Sequence, residues 1–424
     1  MKNKTEVDNF SSTKIGLDWL EQFDVSDRHL AKELLDSVVW VSHLEFSHKL
    51  MGKITEYAAT INGPVALFLE RELRKNQWGV QRLYKQERKP RRAKGACIQP
   101  VESKKRYNDE VGSEGMIGTL VTGLMRDNPK KYFLHPTAEQ IRTHEIRSFC
   151  VVTDTIGSGA QLSTFFDSMW KVASVKSWKS SGLIDFSVIA YTATDFGLKK
   201  ILSHKLNPTV HYVCACPTVH HQFQDSIIHK KQAKIVELCE KYGKKTGVSK
   251  KVGPLGYGNT GSLIAYAHGM PNNSPRIFHK KSKRWEPIFP ARVANHVIHE
   301  MNPSHKKIPS EALLIRLGHQ KLSASKWLFS ADEKSKKLII LMASLHRGRR
   351  CAGSISARTQ LDIDEVCELL DIAKNYNWVS DKNRLTDDGR QLLSQIESQQ
   401  ANQQEDYTFD EKELIYFPST LRAH

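Results

Sequence analysis

The sequence predicts an α/β domain built on a mostly parallel sheet, preceded by a helical cap and followed by a small helical domain with a two-stranded wing. Three observations predict it. Over residues 61–300, short apolar runs rich in β-branched residues alternate with amphipathic segments, the pattern of parallel strands joined by helices. Residues 14–60 carry helical spacing. Over residues 333–399, amphipathic segments lead into two short apolar pairs around a polar turn.

The elements follow in chain order. Leu17, Leu20 and Phe23 open the cap over residues 1–60, Leu30, Leu34, Leu35, Val38 and Val39 form a second stripe, and Leu44, Phe46, Leu50 and Ile54 a third. PVALFLE, residues 64–70, reads as a buried first strand with an acidic end. Further strands are expected at 149–153, 184–191, 210–213 and 263–267, with helices at 161–175, 195–203 and 226–242. Residues 301–332 read as a linker. Beyond it come an apolar helix at 337–345, a short helix at 354–359 and an amphipathic helix at 362–375 with Val366, Leu369, Leu370 and Ile372 inward. Trp378–Val379 and Arg384–Leu385 flank a polar turn as a wing, and Thr386 is placed to cap a last helix. The polar tail, 400–424, is expected to be disordered or bound to a partner.

Composition narrows the function classes. With 424 residues the chain is long enough for two or three domains. No apolar stretch approaches the length of a membrane span, and the N-terminus MKNKTEVDNFSS lacks the apolar segment of a signal peptide. Seven scattered cysteines point to reduced thiols and a cytoplasmic location. The excess of 63 basic over 46 acidic residues, a net charge of +17, favours a polyanionic partner, nucleic acid first.

The most informative stretch is VVTDTIGSGAQ, Val151 to Gln161. An apolar run delivers the chain to Asp154, a small-residue loop follows, and an amphipathic segment begins at Leu162. Strand, glycine loop and helix in that order converge several backbone N–H groups and a helix N-terminus on one point, which suits a phosphate. Asp154, just before the loop, is placed to meet sugar hydroxyls or a Mg²⁺ ion.

This order of residues resembles the ribose-phosphate loop of the phosphoribosyltransferase fold, in which an apolar strand, two acids and a Thr/Ser-Gly loop hold a 5′-phosphate. The resemblance implies that Asp154 is the second acid and the catalytic candidate, and that Asp154, Thr155, Ile156, Gly157, Ser158, Gly159, Ala160 and Gln161 bind the ribose phosphate, with Ser158 as hydroxyl donor. Thr153 stands where the first acid belongs, and Gly157 where several enzymes of the fold carry a catalytic Asp. Those departures favour ligand binding over turnover. The glycine-rich run VGSEGMIGTL supplies Ser113, Glu114 and Gly115 as the pyrophosphate-loop candidates. A second loop, residues 256–292, turns through Asn272 and Asn273 and returns through Trp285. With the 154–161 loop it resembles a bacterial branch of phosphoribosyltransferase-like proteins linked to conflict and phage-defence loci. Its Asn pair either touches ligand or only completes the domain.

Residues 71–95 hold much of the excess charge, with Trp78 and Tyr84 between the bases; Arg88, Lys89, Arg91 and Arg92 are the candidates for holding RNA, DNA or an acidic protein. HYVCACPTVHH, residues 211–221, invites a zinc reading, but a CxC pair lacks the usual spacing and buried thiols are favoured; no metal-ligand set is assigned. The C-terminal block, ending in "Arg-Leu-Thr-x-x-Gly", resembles a winged helix-turn-helix, whose flanking bases would be Arg349, Arg350, Arg358, Lys382 and Arg384. Its reading helix is acidic, with Asp362, Asp364, Glu365, Glu368 and Asp371, so both DNA reading and protein docking stay open.

A phosphoribosyltransferase-like domain with a winged helix is similar to the effectors of one class of retron defence systems. That resemblance implies an antiviral effector whose pocket takes a ribosyl phosphate or nucleotide, such as phosphoribosyl pyrophosphate with Mg²⁺. It further implies restraint by an RNA–DNA hybrid and a reverse transcriptase. Whether the pocket also acts as a transferase on a phosphoribosyl or glycosidic bond is open. The alternative is a non-enzymatic transcriptional regulator that senses a nucleotide and binds DNA through the winged helix.

Overall fold

The computed structural model describes residues 9–73, 75–77, 79–99, 113–223, 229–247, 252–298, 301, 308–346 and 350–398. Five parallel strands form the central sheet: β1 (Val65–Leu69), β2 (Tyr132–Leu134), β3 (Ser148–Ile156), β4 (Asp185–Ala193) and β5 (Thr209–Ala215), in the order β5-β4-β3-β1-β2. The first strand is apolar throughout because both its faces are covered. Ala66 and Phe68 join Phe149 and Val151 in a core with Phe165, Phe166 and Met169 of α3 (Ala160–Trp170). Val65, Leu67 and Leu69 join Cys150 and Val152 on the other face. That face packs on Phe46, Leu50 and Ile54 of α1 (His43–Thr60) and on Ile117 and Val121 of α2 (Glu114–Asp127). The period of two along each strand thus divides the two cores.

Four of the expected strands are present, and β3 and β4 extend beyond the ranges read from sequence. The run at 263–267 lies elsewhere: Ile264–Tyr266 pairs in parallel with Val39–Val41 in a separate two-stranded sheet. Val39, grouped by helical spacing with its predecessors, is therefore in a strand. The N-terminal helices Lys14–Glu21 and Arg28–Asp36 share one core with the segment after the sheet, where Trp19 and Phe23 meet Tyr242, Phe278 and Trp285. The indole N–H groups of Trp19 and Trp285 both donate to the Ile277 carbonyl, at 3.2 and 2.7 Å. Cap and returning loop are one layer. The helix expected at 161–175 breaks after Trp170, because Val172 takes an extended conformation that buries it. Ser113, Glu114 and Gly115 do not form a glycine loop: they open α2, and Gly118 lets that helix approach Leu69, whose Cδ1 would lie 3.2 Å from an added Cβ.

The C-terminal region packs Glu333–Ser344, Ala352–Thr359, α4 (Ile363–Asn375) and Asp387–Ser398 around one apolar core. Val379 and Leu385 pair across the wing. The Thr386 hydroxyl accepts the Gly389 N–H at 3.1 Å, and a Cβ on Gly389 would lie 2.2 Å from the Trp378 carbonyl oxygen. The motif is thus a cap followed by a close approach. Within the stretch read as a linker, helices Ser310–Arg316, Gln320–Ser323 and Lys326–Ser330 send Leu313, Leu314, Leu322 and Leu328 into the same core. The polar tail lies outside the described residues. No helix among the described residues is long and apolar enough to cross a membrane.

Candidate functional site

Numbered along the chain, the sheet runs 2-1-3-4-5. In such sheets the order reverses at one place, and connections leave to opposite faces there, opening a crevice beyond the strand C-termini. Here the reversal falls between β1 and β3. Leu69 pairs with Val152, so the residues just beyond that pair, Glu70 on one strand and Thr153 and Asp154 on the other, stand at the crevice.

The loop after β3 is built for close backbone approach. Gly159 adopts φ +67°, and a Cβ there would lie 3.0 Å from the Gly197 carbonyl oxygen. A Cβ on Gly157 would meet the Asn273 side-chain nitrogen at 2.4 Å. The Thr194 hydroxyl donates to the Gly157 carbonyl. Ser158 Oγ accepts the Ala160 N–H at 3.3 Å. Among the described residues, the N–H groups of Gly157, Ser158 and Gly159 donate to no protein acceptor. They precede the eleven-residue helix α3, whose first turn adds positive potential. The returning loop sits directly on this cradle: an added Cβ on Gly258 would lie 2.8 Å from Ser158 Cβ. Asn273 is buried and donates to Ser262 Oγ at 2.6 Å, while the Asn272 carbonyl accepts the Tyr257 N–H at 3.0 Å. Asn273 props the cradle from beneath.

Asp154 Oδ1 accepts the Thr155 N–H at 2.6 Å, and His268 Nε2 lies 3.5 Å from Oδ2. Burial pushes this carboxyl up, but His268, the Ser113 hydroxyl and the Thr155 amide outweigh it and hold it below its ordinary value. Glu70 has the opposite fate. It is 8% exposed, its strongest influence is burial, and the neighbouring Asp154 and Glu114 charges push the same way, so its pKa rises to about 8 despite the Thr153 hydroxyl. Glu114 is raised as well, by burial first. His135 steadies this corner without adding charge: its Nε2 accepts the Leu69 N–H at 2.9 Å, and burial lowers its pKa to about 4. The crevice therefore pairs one ionised carboxylate with one protonated carboxyl, the arrangement by which a site separates acceptor from donor. Asp154 and the loop are marked in the sequence itself, and His268 only as the end of a strand in the second loop; Glu70 and His135 are not marked as site residues. The acidic end of PVALFLE was the available signal, and only the strand register brings it beside Thr153.

Among the described residues, no group of three or more His, Cys, Asp or Glu side chains could hold a metal. The Cys214 and Cys216 thiols are pushed up to about 12 by burial. His221 faces Asp195 at 3.1 Å, and His220 faces Gln232 at 2.7 Å.

Arg88, Lys89, Arg91 and Arg92 are all exposed at the tip of a hairpin between Tyr84–Gln86 and Ala93–Cys97. In the C-terminal region, Lys382 and Arg384 are exposed on the wing. Arg350 is half-buried, its Nε donating to the Leu345 carbonyl at 3.4 Å, and Arg358 donates to the Ser344 carbonyl at 3.0 Å, so both brace the domain. Arg349 and Trp78 lie outside the described residues. The acidic start of α4 is occupied: Asp362 pairs with Lys49 at 2.9 Å and Asp364 pairs with Lys53, both lysines from α1. Glu365 and Glu368 pair with Lys337 and Lys334. Burial works against the Lys49 charge, but Asp362 and Glu45 raise its pKa to about 12.

A parallel five-stranded sheet with a glycine loop at its switch point is an architecture that a phosphoribosyltransferase-like α/β domain shares with other doubly wound folds. A family model described as PRTase-CE matches residues 17–291, and another described as wHTH-PRTase associated matches residues 339–423. The chain belongs to the PRTase-CE family of conflict-system phosphoribosyltransferase-like domains, with an associated C-terminal winged helix-turn-helix. No curated protein matches the chain, and no solved structure does.

Proposed function

We propose that the chain is an antiviral effector whose crevice binds a ribosyl phosphate or nucleotide and whose activity is restrained by a nucleic-acid partner. The observation that carries the ligand reading is the cradle at the switch point, where the Gly157–Gly159 amides and the α3 N-terminus converge beside Asp154. An anion there is stabilised by N–H dipoles, and the ionised Asp154 accepts hydrogen bonds from sugar hydroxyls. If the bound sugar is cleaved at its anomeric carbon, Asp154 is the group placed to stabilise positive charge developing on the ring. Mg²⁺ enters this reading as a companion of the phosphorylated ligand; among the described residues no group of three or more His, Cys, Asp or Glu side chains could hold it without one. The exposed basic hairpin tip and the net charge of +17 support an RNA–DNA hybrid, with its reverse transcriptase, as the restraining partner.

The second reading, a nucleotide-sensing regulator that binds an operator, is favoured by Thr153 and Gly157 standing where acids are expected. Against it, the acidic α4 is pinned to α1 by the Lys49 and Lys53 pairs, leaving its face both occupied and of the wrong sign for phosphate.

Phosphoribosyl pyrophosphate with Mg²⁺ should raise the melting temperature of the wild type. Ligand at a hundredfold excess over its Kd adds about 2.7 kcal/mol. Asp154→Asn should remove most of that shift. An unchanged melting curve with this ligand and with nucleoside mono-, di- and triphosphates would sink the pocket reading.

A further inference from the structure

We propose that Glu70 completes the sugar-binding pair with Asp154, reaching from the neighbouring strand into the place where Thr153 lacks a carboxylate, and that the pair selects a ribose over a 2-deoxyribose 5-phosphate. The inference rests on the pocket reading above and names its ligand class. The register makes the case. Leu69 pairs with Val152, and along β1 and β3 the side chains of Phe68, Phe149 and Val151 share one face. Continuing the period of two past Leu69 and Val152 puts Glu70 and Thr153 on that same face, while Asp154 follows Cys150 and Val152 on the other. A carboxyl at position 70 therefore stands over position 153, whose hydroxyl donates to Asp154 Oδ1 at 3.4 Å and is also an influence that lowers the Glu70 pKa. The two acids flank the strand tips from opposite sides of the crevice.

Their chemistry is complementary. Asp154 is ionised and only accepts hydrogen bonds. Glu70 has no cationic partner among the influences on it; burial, Asp154 and Glu114 keep its proton on to about pH 8, so at neutral pH it donates. Adjacent ribose hydroxyls offer one donor and one acceptor to such a pair. A 2-deoxy sugar leaves one carboxyl buried against carbon, and unpaired buried polar groups are what sites use to reject an analogue. His135, neutral and bonded to the Leu69 N–H, positions the end of β1 without supplying the charge that would deprotonate Glu70.

The test measures Kd for ribose 5-phosphate and 2-deoxyribose 5-phosphate by calorimetry with the full chain. Wild type should prefer ribose 5-phosphate at least tenfold at pH 7, and that preference should fall as pH rises from 7 to 9. Glu70→Gln, whose amide still donates, should keep the preference and lose its pH dependence. Glu70→Ala should abolish the preference while ribose 5-phosphate still binds through the loop. A preference unchanged in a folded Glu70→Ala, or a pH dependence unchanged in Glu70→Gln, overturns the role of Glu70 and leaves the pocket standing. If wild type binds neither sugar phosphate and Asp154→Asn changes nothing, the pocket reading falls and takes this inference with it.

Discussion

Replacing Glu70 with Gln should stabilise the protein at high pH and leave it nearly unchanged at low pH. The folded state holds the Glu70 proton up to about pH 8, whereas the unfolded chain releases it near 4.5. Below 4.5 both states are protonated and the carboxyl is neutral in its effect. As pH rises from 4.5 to 8, only the unfolded state ionises, so native stability falls, by about 1.4 kcal/mol per pH unit. Above 8 the loss is complete, with a ceiling of about 5 kcal/mol. Water entry and small rearrangements around a buried charge reduce such penalties, so a realised loss of about 2–3 kcal/mol is expected. Gln keeps the volume and the hydrogen-bonding oxygen facing Thr153 but cannot ionise. Glu114, raised in the same direction by burial and by Asp154, remains in both proteins and largely cancels from their difference. Asp154, held low, loses its stabilising contribution only as pH falls below 3.8, outside this window. The assay is urea denaturation of both proteins at pH 5, 6.5, 8 and 9. The stability difference, mutant minus wild type, should grow by about 2–3 kcal/mol from pH 5 to pH 9. A difference that stays flat across that range would refute the reasoning, because it would mean that Glu70 ionises as freely in the folded crevice as in the unfolded chain.

Four further outcomes follow from individual contacts. Gly157→Val should cost about 1–3 kcal/mol and abolish phosphate-ligand shifts, because its Cβ collides with the Asn273 amide 2.4 Å away; a mutant that melts and binds like wild type would remove the close-approach argument. Gly389→Ala should unfold or loosen the C-terminal domain, since its Cβ would lie 2.2 Å from the Trp378 carbonyl oxygen, and near-ultraviolet dichroism of its tryptophans reads that loss. Lys49→Glu with Lys53→Glu places like charges against Asp362 and Asp364; amide exchange across residues 363–375 should accelerate several-fold while exchange in β3 stays slow. Replacing Arg88, Lys89, Arg91 and Arg92 with Ser should flatten the salt dependence of binding to an RNA–DNA hybrid by up to about four counterions, with the crevice unaffected because the hairpin tip lies on another element.

How much was legible in the sequence depends on the range of the interactions involved. The five residues of VALFL and the run before Asp154 declare buried strands because a parallel sheet leaves neither face to water, and Gly157, Ser158 and Gly159 announce a backbone-lined cradle because few other residues fit one. The Thr386 cap and Gly389 in the wing motif are equally local. β2, only three residues long, and the pairing of Val39–Val41 with Ile264–Tyr266 left no comparable trace, since a short strand is stabilised by partners far away in sequence. The same holds for Ser113 to Gly115, whose glycines suggest a loop but serve a helix lying close on Leu69. The acidic face of α4 could be counted from the sequence, but its ion pairs with Lys49 and Lys53 join residues more than three hundred positions apart. By itself the sequence determined the kind of strands, the glycine loop after β3 and the wing, all of which arise from neighbouring residues. Only the tertiary structure decided which strands adjoin, and hence that Glu70 stands beside Thr153 and keeps its proton, because register and burial are properties of the packed sheet rather than of any one segment.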